Sequence, residues 1–180
     1  MPTVSPKSSL AMLLFALAWL LPATPAAARG TYLPPADFIQ QSFANQPPAP
    51  QLLWLNKELQ QSVNAILGHD YPALRLRYWR QQQRSVWVLE EIGKEQPITL
   101  GIVVNADAIE ALEVLIFRES RGSEIRHPFF TRQFDKVSLN QDGQLSSTVD
   151  GISGATLSVR AATRLARLAL LFHQQVINQP

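Results

Sequence analysis

Apolar positions change their period along this chain, and each change marks an element. Leu55, Leu59, Val63, Ile66 and Leu67 recur about every 3.6 positions and are followed by Gly68; the spacing predicts a helix over residues 52–67 that glycine stops. From Leu74 to Arg80 apolar and basic residues alternate, the pattern of a strand buried on one face. Residues 81–84 make the turn and residues 85–92 the returning strand. Past Gly93, Lys94 and Pro97, residues 98–104 are a third strand, and 105–108 turn it into a fourth over 109–117. Four consecutive strands predict an antiparallel meander with one wet face. Phe134, Val137 and Leu139 predict a short extended segment, and Leu157, Ala161, Leu165, Leu168 and Phe172 form the apolar stripe of a last helix. The fold class is α+β, a twisted antiparallel sheet with helices packed mainly on one face.

The amino terminus follows a different pattern. Leu10 to Leu21 is an unbroken apolar run of twelve residues, preceded by Lys7 and closed by Pro22. Such a run suits the core of a secretory signal better than a membrane span, which needs about 20 residues. Ala26 and Ala28 are small residues at the right spacing for cleavage after Ala28. Residues 1–28 are therefore expected to be a signal peptide and the protein periplasmic. An uncleaved, membrane-associated anchor is the competing reading. Residues 29–51 contain Pro34, Pro35, Pro47, Pro48 and Pro50 and are expected to form a proline-rich arm. Between its prolines, residues 37–43 predict a short amphipathic helix with Phe38 and Phe43 inward. Residues 52–180 are the expected globular domain.

Composition narrows the chemistry. The 180 residues include no cysteine, 46% are hydrophobic, and the formal net charge is +2. That charge, without a basic cluster, gives no nucleic-acid footprint. Without cysteine there is no disulfide, thiolate-bound metal or iron–sulfur site. His69, His127 and His173 stand apart at no metal-ligand spacing and read as surface or capping residues. Ser153 lies in no nucleophile elbow. Trp54, Trp79 and Trp87 read as core, and Arg160, Arg164 and Arg167 as a solvated stripe on the last helix, whose sharper reading is a dock for an acidic redox partner.

The densest signal is Asp150-Gly-Ile-Ser-Gly-Ala-Thr156, where a polar turn with two glycines opens into the last helix. Ser153 is the expected N-cap. Thr156 then falls in the first turn, where free N–H groups and the helix dipole favour an anion.

The spacing Asp-x-x-Ser-Gly-Ala-Thr, with Asp150, Ser153, Gly154, Ala155 and Thr156 all in place, resembles the flavinylation motif of the FMN-binding domain family. That family includes covalent-flavin subunits of bacterial ion-pumping redox complexes. A wider likeness runs from Trp54 to Leu171 through Trp79, Gly93, Lys94 and Arg118-Glu-Ser-Arg-Gly122. The resemblance implies FMN held by a phosphoester to Thr156, at the N-terminus of the last helix. It implies a flavin transferase as modifying partner: the Thr156 oxygen attacks the FMN phosphorus of FAD and AMP leaves. Asp150, Gly154 and Ala155 would present the loop, and Leu157 would contact the ring. Glu119 would accept from the ribityl chain or ring, Arg118 or Arg121 would pair with phosphate or reduced flavin, and Gly122 would let the backbone approach. The protein is then an exported electron carrier rather than a stand-alone enzyme. It would serve a membrane or periplasmic redox partner such as a cytochrome or reductase. The alternatives are a non-redox binding or assembly module of the same fold, without flavin, and a flavin-dependent reductase of a small substrate.

Overall fold

A computed structural model describes residues 30–178 of the chain; the expected signal peptide lies outside them. The elements in chain order are α1 (Pro35–Ser42), β1 (Gln51–Trp54), α2 (Lys57–Leu67), β2 (Arg75–Gln81), β3 (Arg84–Ile92), β4 (Pro97–Asn105), β5 (Ala108–Phe117), a short helix α3 (Pro128–Thr131) and α4 (Thr156–Asn178). Each strand pairs antiparallel with the next, so the sheet order is β1-β2-β3-β4-β5. The fold is α+β with an open antiparallel sheet, as the pattern predicts.

Two expectations are corrected. The helix predicted over 52–67 begins later, at Lys57, because the Asn56 side chain accepts from the Leu59 amide at 2.8 Å and caps it. The four residues Gln51–Trp54 instead form a fifth strand on β2. The extended segment predicted around Phe134 is a single turn of 3-10 helix at Arg132–Phe134, and only isolated bridges form at Ser138 and Leu139.

The inner face of the sheet is covered, and over β3, β4 and β5 the outer face is covered too, which corrects the expectation of one wet face; the outer face of β1 and β2 stays exposed. On the inner face lie α2 and α4, with Trp87, Leu89, Leu100 and Ile102 of the sheet packed against Leu165, Leu168 and Phe172 of α4. Trp87 stacks on Tyr78 at 5.0 Å and tilts against Phe172 at 5.5 Å. On the outer face α1 buries Phe38, Ile39 and Phe43 against Val86, Val103 and Leu115. The proline-rich segment is thereby built into the sheet, and Thr31 also bridges to Ile116 on β5. Of the three tryptophans expected in the core, Trp87 is fully buried, Trp79 is half-buried and Trp54 is exposed.

One histidine departs from the surface role, while His69 is exposed as expected. His173 on α4 is buried. The Trp87 indole N–H donates to Ser85 Oγ at 2.7 Å, Ser85 Oγ lies 2.7 Å from His173 Nδ1, and His173 Nε2 meets the Ala106 carbonyl. That chain is satisfied by a neutral imidazole with its proton on Nε2, where Ser85 donates to Nδ1. Burial holds the His173 pKa below its ordinary value, against the Ala106 carbonyl and Asp107, which raise it. A lowered histidine pKa means that the unfolded chain takes up the proton first, so stability falls as pH drops below about 6.5 toward the folded value. His69 acts in the opposite sense. The Asp70 carbonyl and then Glu91 raise its pKa, so its contribution is present at low pH and is lost as pH rises through the folded pKa. Comparing wild type with His173→Gln in urea isolates the first effect: the difference between their midpoints should shrink on acidification from pH 7 to pH 5. A constant difference would refute the neutral-histidine assignment.

Glu91 is the one buried carboxylate among the described residues. It accepts from Arg164 at 3.2 Å and from His69 at 3.1 Å, the pairing that a buried charge requires. Arg167 donates to the Gly143 carbonyl at 3.0 Å. The arginine stripe of α4 is therefore two internal tethers and a single exposed residue, Arg160, rather than a docking face.

Candidate functional site

The site forms where β3, β5 and α4 end together. β3 runs into the loop at Gly93–Gln96, β5 into Arg118–Gly122, and the turn Ile152–Ala155 leads into α4. These three segments line a cleft of about 600 Å³ whose walls include Lys94, Glu119, Arg121, Gly154, Thr156 and Leu157. That volume falls within the roughly 300–1,000 Å³ of cofactor sites.

The turn before α4 fixes the direction of the helix. Ala155 N–H donates to the Ile152 carbonyl at 3.0 Å, and Gly154 adopts φ +82°, an angle that glycine reaches without strain. The Ala155 carbonyl accepts the first helical bond, from Val159 at 2.9 Å. Ala155 is therefore the capping position and brings no side-chain cap, which corrects the expectation for Ser153. Ser153 is exposed in the turn, two residues ahead of the cap. In consequence the backbone N–H groups of Thr156, Leu157 and Ser158 have no acceptor among the described residues. They open, with the positive end of a helix of 23 residues, toward the cleft mouth, and the Thr156 side chain is exposed there with no hydrogen bond to any described residue. A helix N-terminus left bare beside an accessible hydroxyl is fitted to a phosphate esterified at that oxygen.

The opposite wall is held by Glu119. Its Oε1 accepts from the backbone N–H groups of Lys94, Glu95 and Gln96 at 2.5, 2.6 and 2.9 Å. Burial alone would raise the Glu119 pKa, but the amides of Gln96, Glu95 and Lys94 outweigh it and hold the carboxyl below its usual value. Glu119 thus clamps the 93–96 loop, and through it the position of Lys94. Its other oxygen, Oε2, accepts from no described residue, and Glu119 lines the cleft. Arg118 points away from the cleft: it donates to the Pro97 carbonyl at 3.1 Å and Thr99 Oγ1 at 3.2 Å, and lies 3.6 Å from Glu90. Arg121 and Lys94 are exposed and are the two cations of the cleft wall.

Gly122 is where the walls meet. At φ +89° it faces α4 so closely that a Cβ would lie 2.6 Å from Ser158 Oγ and 3.4 Å from the Ala155 methyl. Only glycine lets the end of β5 reach the first turn of α4. The structure therefore brings together Thr156, Gly154, Ala155, Leu157, Glu119, Arg121 and Gly122. Asp150 and Ser153 stand outside the cleft lining; Asp150 is exposed, and its N–H donates to Gln133 Oε1 at 2.7 Å. Lys94 and Ser120 line the cleft without having been singled out as ligands. Lys94 stood beside Gly93 in the likeness, but nothing local in a solvated loop says which way a lysine points.

Removal of the clamp has a measurable result. In Glu119→Ala the amides of Lys94, Glu95 and Gln96 should exchange with solvent roughly tenfold faster or more, the factor that matches the loss of about 1.4 kcal/mol of charge-assisted hydrogen bonding. Because the folded pKa of Glu119 is lowered, the clamp is present above the ordinary carboxylate range, about pH 4.3, and is lost as pH falls through the folded value. Unchanged exchange at these three amides would show that the loop holds itself.

A family model described as the FMN-binding domain matches residues 93–171, the span from the clamped loop to the middle of α4. No curated protein has a matching sequence. Among solved structures the chain is similar to one subunit of the Na(+)-translocating NADH-quinone reductase from Parabacteroides distasonis ATCC 8503. The identity is 17% and the TM-score 0.53, over 78% of this chain and 83% of that one. At that identity the likeness is one of fold.

Proposed function

We propose that this chain, whose residues 93–171 match the FMN-binding domain family, is an exported electron carrier with FMN joined by a phosphoester to Thr156. The observation that carries the reading is the mouth of α4, where an exposed, unbonded Thr156 hydroxyl sits beside three backbone amides without protein acceptors. Those amides and the helix dipole hold a phosphate at Thr156. Lys94 and Arg121 add positive charge on the facing wall, and Leu157, 39% exposed, offers an apolar surface to a ring. Bound FMN supplies one- and two-electron transfer, a capacity that the cysteine-free chain lacks in its own side chains. The protein's tasks are retention and orientation, and retention by a covalent bond matters most outside the cytoplasm, where a dissociated cofactor is lost by dilution.

By analogy of fold, the partners are membrane or periplasmic redox proteins such as a cytochrome or a reductase, and a flavin transferase performs the attachment. Asp150 and Ser153, exposed and outside the cleft, are placed to be read by that transferase rather than by the flavin. The residues 1–28 carry the export signal, and the compartment is the periplasm.

The test is intact-mass analysis of the protein exported from cells that hold a flavin transferase. The expected product is heavier by one FMN, lacks residues 1–28, and carries the added mass on the peptide containing Thr156. A colourless product at the bare polypeptide mass would leave a domain of this fold with no redox role.

A further inference from the structure

We propose that the outer face of β1 and β2 docks the protein on an anionic lipid surface. This goes beyond the cofactor site and does not depend on Thr156 being modified. In the register of the two strands, Leu52 stands opposite Arg77 and Trp54 opposite Arg75. The alternate residues of both strands, Leu53 and Leu76, are buried in the inner core, so these four share the outer face. Leu52 is 49% exposed and Trp54 63% exposed, although the cost of leaving large apolar groups in water favours burying them. The Arg75 guanidinium lies over the Trp54 ring at 5.6 Å. A groove of about 540 Å³ continues the patch past Trp79 toward Ile39 of α1, with Arg75 and Arg77 in its lining and no carboxylate.

Among the described residues neither Arg75 nor Arg77 pairs with a carboxylate. Glu90, on the same face of β3, is engaged by Thr99 at 2.5 Å and by Arg118 at 3.6 Å. The result is a flat surface in which aromatic and aliphatic groups alternate with unpaired guanidinium groups. A bilayer interface matches that arrangement. Indole rings settle at the level of the headgroups, arginine stems lie along apolar surface, and guanidinium groups reach phosphate oxygens. An acidic protein partner would answer Arg75 and Arg77 but leave Leu52 and Trp54 without a counterpart. Strand addition is also disfavoured, because β1 has four residues and follows Pro47, Pro48 and Pro50, which lack the N–H groups of a longer edge.

The experiment is co-sedimentation of the exported protein with vesicles of phosphatidylglycerol and phosphatidylcholine, or of phosphatidylcholine alone. Wild type is compared with Arg75→Gln/Arg77→Gln and with Trp54→Ala, all three carrying the same N-terminus as read by intact mass. The altered side chains are exposed, so thermal midpoints should stay close to wild type. Wild type should partition to the anionic vesicles, and added salt should weaken it. The double arginine variant should bind them about thirtyfold less well, and Trp54→Ala several-fold less well. Failure of wild type to bind anionic vesicles overturns the proposal and leaves an acidic protein as the partner of this face. Equal binding by wild type and the double variant overturns it as well, by assigning the affinity to another part of the chain.

Discussion

Thr156→Ala, exported beside a flavin transferase, should emerge at the bare polypeptide mass and without the fluorescent band that the proposed covalent flavin should give the wild-type protein in denaturing electrophoresis. The loss should be complete, because the substitution removes the only atom to which the phosphorus is proposed to be joined. Stability should change little, within about 0.5 kcal/mol, since the side chain is exposed and bonded to nothing described. Thr156→Ser keeps the oxygen at the same helical position and should keep the label. The neighbouring hydroxyls sharpen the test. Ser158 is buried against Gly122, out of reach of a modifying enzyme, whereas Ser153 is exposed. A Thr156→Ala protein that still fluoresced, with the added mass on Ser153, would move the attachment to the turn and make the bare helix N-terminus incidental.

What the sequence could state about this site follows from how local each feature is. The place of Thr156 at the head of a long helix was legible, because two glycines, a polar turn and an apolar stripe are all encoded within a few residues. The cap was not. A serine three residues before the helix has the right chemistry, but the turn closed by Ala155 N–H on the Ile152 carbonyl starts the helix later than the pattern suggests. Glu119 shows a different limit. Its residue type fits a ligand for a hydroxylated chain equally well, and only the approach of the 93–96 loop, which follows another strand, turns it into a clamp. The same holds for Arg164, whose charge is absorbed by Glu91 from across the fold. The meander was legible because alternation is strong in β2 and because mostly apolar segments bounded by turns mark β3, β4 and β5. The strand β1 was hidden, since Leu52, Leu53, Trp54 and Leu55 satisfy a helical stripe as well as a short strand. Among the tryptophans only Trp54 is exposed against expectation: a large apolar residue is usually buried, and Trp54 is held out by lying on the outer face of an edge strand.

The proline-rich segment is fastened to the sheet through Phe38. Gly101 on β4 faces the Phe38 ring so closely that a Cβ there would lie 2.5–2.7 Å from three ring carbons. Phe38 is 2% exposed, at the centre of the outer cluster. Phe38→Ala should therefore cost about 3–5 kcal/mol, which lowers the melting temperature by roughly 10 °C for a domain of this size. Gly101→Ala in wild type should also destabilise, because a ring packed on all sides cannot give way as a flexible side-chain tip would. In the Phe38→Ala background the sign should reverse. There the added methyl enters vacated space, and a strand interior gains about 0.5–1 kcal/mol when alanine replaces glycine. The double-mutant cycle thus isolates the contact between α1 and the sheet. Gly101→Ala destabilising equally in both backgrounds would mean that the glycine serves the strand itself and that α1 is not seated on it. A reversal would establish that residues 35–43 are a structural cover of the second sheet face, seated on Gly101 through Phe38.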